Sequence, residues 1–199
     1  MLQKDKKTVK AVSKDISLEN KIEYATQTLE RNIGFINTCD TKASIILATV
    51  GVLITIFFTS DVLTKSVSIV KAVCKEKGCF NILYLIFLVI SILILLLGLK
   101  NLISVLIGRV DNISDECKDL KYGSRIFFAG IVNSGKISTY RTKFLKMTDE
   151  EYLDEIINQI YINSNIASIK YKKYNCGLNC VIIGFLLLAI LLLIGIYVY

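Results

Sequence analysis

The sequence predicts an all-α integral membrane protein with three transmembrane helices and a small helical cytoplasmic unit. Ala43 to Ser60, Phe80 to Leu99 and Cys180 to Tyr199 each run 18 to 20 residues without an acidic or basic side chain. That is the length a helix needs to cross the hydrocarbon core. The chain is 53% hydrophobic, with a mean hydropathy of +0.56. In lipid, an open chain satisfies its backbone polar groups only as a helix, so runs of this kind read as helices.

Taken in order, residues 1–16 read as a basic flexible tail. The start, MLQKDKKTVKAVSKD, has no apolar h-region, so it is not expected to be a cleavable signal peptide; the first span serves as the insertion signal. Residues 17–42 read as a cytoplasmic amphipathic helix, because Leu18, Ile22, Ala25, Leu29, Ile33 and Ile36 recur at steps of three or four. The chain contains no proline, so a continuous helix from about Ser17 to Ser60 is expected. The first span, 43–60, carries a stripe of small residues: Ser44, Ala48, Gly51, Thr55 and Thr59. Such a stripe lets helices approach closely. It is read as packing against the other two spans, with contact between protomers or the lining of a conduit as the sharper alternative.

Residues 61–79 are expected to form an external loop, in which the spacing of Cys74 and Cys79 permits a disulfide. The second span is 80–99. Leu102, Leu106, Val110, Ile113, Cys117 and Leu120 keep the helical step beyond it. Residues 100–177 read as a cytoplasmic helical region. Within it, Arg125 to Val132 holds an apolar run too short to span; a strand, an interfacial segment and a plug all remain open. Thr148 to Glu151 has the pattern of a capping box at a helix start. Leu153, Ile156, Ile157, Ile160 and Ala167 supply that helix with an apolar face. Lys170, Lys172 and Lys173 then meet the membrane, Gly177 reads as a loosening of the junction, and residues 178–199 form the third span.

Charge orients the chain. Of 24 Lys and Arg, eight lie in residues 1–42, four in 61–79 and twelve in 100–177. The positive-inside rule therefore places the N-terminus and the 100–177 region of a multi-pass membrane protein in the cytoplasm. The net charge of +7 suits anionic lipid head groups better than DNA or RNA. The absence of histidine removes His-containing zinc sites and Ser-His or Cys-His catalysis. No P-loop, G-x-S-x-G motif or metal-ligand spacing is present, so no enzyme activity, metal or cofactor is expected. Spans without charged midplane residues also argue against a transporter.

The polar cluster with most to offer chemistry is Asn37 to Ala43, at the mouth of the first span. An acid and a base at such an interface need partners. Asp40 is expected to pair with a base from another helix, such as Lys170 or Lys173, with Lys42 snorkelling; direct ligand contact is the alternative.

The stretch Arg31-Asn-Ile-Gly-Phe-Ile-Asn-Thr-Cys-Asp-Thr-Lys-Ala-Ser-Ile-Ile-Leu resembles the AD-x-KAS entry into the first membrane helix of the Pycsar transmembrane effectors, with Cys39 as the small residue before Asp40. Phe127, Phe128 and Gly130, the acidic helix start at Asp149 to Glu155, and the Lys170–Tyr171 pair before the last span are similar to that family in order and spacing. The region 100–124 departs from it. The resemblance implies a membrane effector of bacterial antiphage defence. A partner nucleotidyl cyclase would make a cyclic mononucleotide, cCMP or cUMP, and the effector, as a homo-oligomer in the lipid bilayer, would breach the inner membrane in abortive infection.

A cyclic nucleotide needs a cation and hydrogen-bonding groups in a partly apolar pocket. Arg31, Asn37, Asp40, Lys42, Arg125 and Lys170 are the candidate ligand-binding residues. Arg141 and Lys143 offer further charge, and Tyr122, Phe127, Phe128 and Tyr140 offer stacking. The alternative reading is a small membrane scaffold within a larger complex, without ligand gating.

Overall fold

A computed structural model describes residues 16–59, 61–75, 78–107 and 123–198. The described residues form α1 (Leu18–Thr59), α2 (Asp61–Lys75), α3 (Cys79–Leu106), α4 (Phe128–Asn133), α5 (Ile137–Leu145) and α6 (Asp149–Val198). The fold among them is all-α, and α1, α3 and α6 are each long and apolar enough to cross a membrane. Residues 1–15 of the expected basic tail, together with Val110, Ile113, Cys117, Leu120 and Tyr122, lie outside the described residues.

The described helices fall into two compact units. One comprises Ile36–Arg109 and Ala167–Tyr199, the other Met1–Phe35 and Val110–Ile166. In the first unit, the seams are written in steps of four and three. Helix α3 buries Tyr84, Ser91, Leu95, Gly98, Leu102 and Val105. The matching line on α6 runs Gly177, Val181, Gly184, Leu188, Leu191 and Gly195. A repeat of this kind keeps one face turned to a neighbour along the whole helix.

The backbones of α3 and α6 touch at their glycines. A Cβ on Gly98 would lie 2.8 Å from the Val181 nitrogen and 3.0 Å from the Gly177 oxygen. A Cβ on Gly177 would meet Leu102 Cγ at 2.9 Å. Gly177 is thus a buried contact point and not the loosened junction expected of it. Cys39, Ala43 and Val50 of α1 join Leu95, Leu102, Val105 and Val181 in one apolar cluster.

Residues 61–75, expected as part of a loop, form helix α2. Leu63, Ser66, Ile69 and Val73 recur at helical steps, with Asp61 in the first turn and Lys75 in the last, each suited to the helix dipole. Ile69 and Val73 pack with Tyr84 in a second cluster, and the Tyr84 hydroxyl donates to the Leu191 carbonyl at 3.0 Å. Cys74 and Cys79 are both exposed free thiols.

In the second unit, Asn32 of α1 donates from its side chain to Ser164 Oγ of α6 at 2.8 Å. Helix α6 buries Ile156 and Ile162 there, while Ile157, expected on its apolar face, is 49% exposed. The capping box closes α6: Thr148 Oγ1 accepts from the Glu151 N–H at 3.3 Å, and the Glu151 carboxylate accepts from the Thr148 N–H at 3.2 Å. The run Arg125 to Val132 is not a strand. It bends and enters the short helix α4, and Gly135 at φ 75° turns the chain toward α5.

Candidate functional site

Two polar centres, one in each unit, hold Asp40, Lys170 and Arg125 of the charged residues singled out above. In the unit of Ile36–Arg109 and Ala167–Tyr199, Lys170 Nζ donates to both oxygens of Asp40, at 2.5 and 2.7 Å. The Lys170 side chain is 5% exposed and that of Asp40 34%. A lysine buried this deeply beside apolar helices is tolerated only with a partner carboxylate. Nearby, Lys173 Nζ donates to Ser104 Oγ at 2.8 Å. Asp40 and Lys170 are therefore bound to each other, as the pairing expectation held. Lys42 and Asn37 lie exposed on the same helix, and Lys42 enters no ion pair among the described residues.

In the other unit the centre is Glu155, buried at 8% exposure. Its carboxylate accepts from Ser124 Oγ at 2.6 Å, from the Arg125 N–H at 3.2 Å and from Arg125 Nε at 3.1 Å. Gln159 donates to Ser124 Oγ at 3.5 Å, and Arg125 also donates to Glu151 at 2.8 Å. These bonds satisfy the buried carboxylate. The Arg125 hydrogen bond, with help from the Thr148 N–H, holds the Glu151 carboxyl below the usual carboxylate range. The hydrogen bond that Arg125 donates to Glu151 likewise raises the Arg125 guanidinium above its ordinary value. Arg125 is committed to two carboxylates, which leaves Arg31, exposed on α1, as the uncommitted cation of the proposed set in this unit.

The small-residue stripe of α1 is not where this chain packs on itself. Ser44, Ala48, Gly51 and Thr55 are exposed, and nothing lies within 4 Å of a Cβ placed on Gly51. Helix α1 turns Cys39, Ala43 and Val50 inward instead. The Ser44 and Thr55 hydroxyls donate to their own helix, to the carbonyls of Asp40 and Gly51 at 3.0 and 2.9 Å. A groove of about 470 Å³ on another flank of α1 is lined by Ile46, Leu53, Val181, Phe185 and Ala189 among others. It offers no charge to a phosphate, and desolvating one there would be costly.

Sequence reasoning found Asp40, Lys170 and Arg125, but not the Glu155 centre or Ser124. A glutamate on the inward face of a predicted amphipathic helix, two turns from a capping threonine, was the available signal.

The chain matches the family model described as "Pycsar effector protein domain" over residues 24–196. It is 33% identical over 190 residues to the Pycsar effector protein GmPycTM of Gulbenkiania mobilis, a match covering 88% of this chain and 96% of that protein. No solved structure matches it.

Proposed function

The chain belongs to the Pycsar effector family, and from that premise we propose that it is an antiphage membrane effector switched on by a cyclic mononucleotide, cCMP or cUMP, from a partner nucleotidyl cyclase. Activation breaches the inner membrane and ends growth before phage matures. The protein works without catalysis. It sits in the inner membrane with its N-terminus in the cytoplasm, the side favoured by its cation-rich segments. The observation that carries this reading is the family match, which runs through both compact units and all three spans.

Within the candidate set, Arg31 and Lys42 are the cations that no carboxylate occupies among the described residues, and so the members of that set best able to meet a phosphate. A nucleotide that binds one conformation more tightly shifts the population toward it. The exposed Ser44–Thr55 stripe is suited to close contact between copies, so assembly through α1 is the route to a leak.

The test is membrane potential in cells that co-express this protein with cyclases making cCMP, cUMP or cyclic oligonucleotides, together with dye release from liposomes of purified protein. Depolarisation and release with one cyclic mononucleotide are the expected result. Leak without any nucleotide, or none with all of them, defeats the gating.

A further inference from the structure

Helix α2 joins the ends of two spans, α1 finishing at Thr59 and α3 starting at Cys79. All three helices belong, from Ile36 onward, to one compact unit. The level of α2 in the bilayer follows from the contacts of α1 with α3. Cys39 and Ala43 cluster with Leu102 and Val105, so the neighbouring Lys42 and Lys100 mark one membrane face. From Lys100 to Cys79 α3 rises about 30 Å, and from Lys42 to Thr59 α1 rises about 25 Å, which is the thickness of the hydrocarbon core. Helix α2 therefore lies where that core ends on the opposite face. It is held there from one side: Ile69 and Val73 pack on Tyr84, and a Cβ on Gly195 of α6 would lie 2.9 Å from Ile69 Cγ2.

The rest of α2 divides into two strips. Leu63, Val67, Val70 and Cys74 follow at steps of four and three, and so do Thr64, Ser68, Lys71 and Lys75, so each set shares one side of the helix. The first strip is apolar and left open: none of its members is buried, and Val67 is 45% exposed. The second is polar and exposed. At about 100° per residue, the apolar strip stands between the side packed on α3 and the polar side. Protein on one flank, an apolar strip next to it and lysines beyond suit a helix lying in the plane of a lipid–water interface. Charge names the lipid. Lys65, Lys71 and Lys75 enter no ion pair among the described residues, and the one acid of α2 is Asp61. A second copy offers the same three lysines, like charges that oppose self-association here. Anionic phospholipid accepts both strips at once.

We propose that α2 is an interfacial helix and a binding site for anionic phospholipid, with Leu63, Val67, Val70 and Cys74 on the acyl chains and Lys65, Lys71 and Lys75 on the head groups. It binds with or without a nucleotide.

The chain contains no tryptophan, so Val67→Trp places a single fluorophore on the apolar strip of the full-length protein. Its emission is read in phosphatidylcholine nanodiscs holding one copy each, to which the same fraction of brominated phosphatidylcholine or brominated phosphatidylglycerol is added. Quenching about twofold stronger with the brominated anionic lipid is expected. Salt at about 1 M should remove the difference, because screening then acts within about 3 Å, and so should the K65Q/K71Q/K75Q variant. Thr64→Trp, on the polar strip, should be quenched less than Val67→Trp by either lipid, and equal quenching of the two defeats the orientation. Cys74→Trp repeats the measurement from a second exposed position on the apolar strip should Val67→Trp misfold. Equal quenching by both brominated lipids overturns the proposal, as does no quenching by either. Loss of quenching when two copies share a disc overturns it too, and assigns the strip to another chain.

Discussion

The two compact units are held together by opposite means. Around Glu155, adhesion is polar: a buried carboxylate gathers a serine hydroxyl, a backbone N–H and a guanidinium. Between α3 and α6, adhesion is steric: Gly98, Gly177 and Gly184 bring backbones into contact. The difference follows the solvent. In water, burying apolar side chains drives helices together and a polar centre fixes how they meet. In lipid, the surroundings are as apolar as leucine, so helices gain by fitting closely. The Asp40–Lys170 pair is the exception, a charged clasp within the glycine-packed unit.

The sharpest way to break this comparison is to fill the glycine seam. Gly98→Leu puts a side chain where backbone already stands at 2.8 Å, and overpacking at a site that cannot yield costs about 3 kcal/mol. Unfolding of the purified protein in mixed micelles should show that loss, and an unchanged midpoint would refute close packing at this point. Next is Asp40→Ala, which strands Lys170 in an apolar setting. Because Asp40 is one-third exposed, the expected loss is about 2 kcal/mol, less than for a fully buried pair. Adding Lys170→Met should restore part of it; a double variant as weak as the sum of the two singles would mean that the residues do not interact.

In the polar unit, Glu155→Gln keeps the shape and removes the charge from three donors. A loss of about 1.5 kcal/mol is expected, with amide exchange in α6 rising near Ser124 but not near Gly184. Glu151 should contribute an acid-sensitive increment. Its folded-state value is depressed by Arg125 and the Thr148 N–H, so its stabilisation is present above the ordinary glutamate range, about pH 4.3, and is lost as the pH falls through the lower folded value. Arg125 stays charged throughout, its own value being raised. Stability measured downward from neutral pH should fall less steeply in Glu151→Gln.

The smallest effect on stability is expected at the outer stripe. Gly51→Leu meets no neighbour within 4 Å, so the fold should tolerate it, whereas nucleotide-dependent dye release should drop sharply if copies meet there. Release at the parental level would remove the stripe from the assembly.

Much of this architecture was legible in one dimension. Runs of 18 to 20 uncharged residues force helices long enough to span, and Thr148 with Glu151 announced the start of α6 through purely local hydrogen bonds. Even the partnership of Asp40 with Lys170 could be expected, because a charge at a membrane face must find its opposite. Helix α2 was hidden by its lysines, which made an amphipathic segment look like a loop. The Glu155 centre was hidden because Ser124 and Arg125 lie about 30 residues away in the chain.

What the sequence determined by itself is therefore whatever one segment and its solvent decide alone: the helices, their lengths and the caps. Which small residues pack was settled only by tertiary structure. Ser44, Ala48, Gly51 and Thr55 form the more conspicuous stripe, yet they face outward, while scattered glycines on α3 and α6 make the contact. Small size permits close approach on any face of a helix. Which face is used depends on matching a second helix along its whole length, and that is a property of the pair and not of either segment.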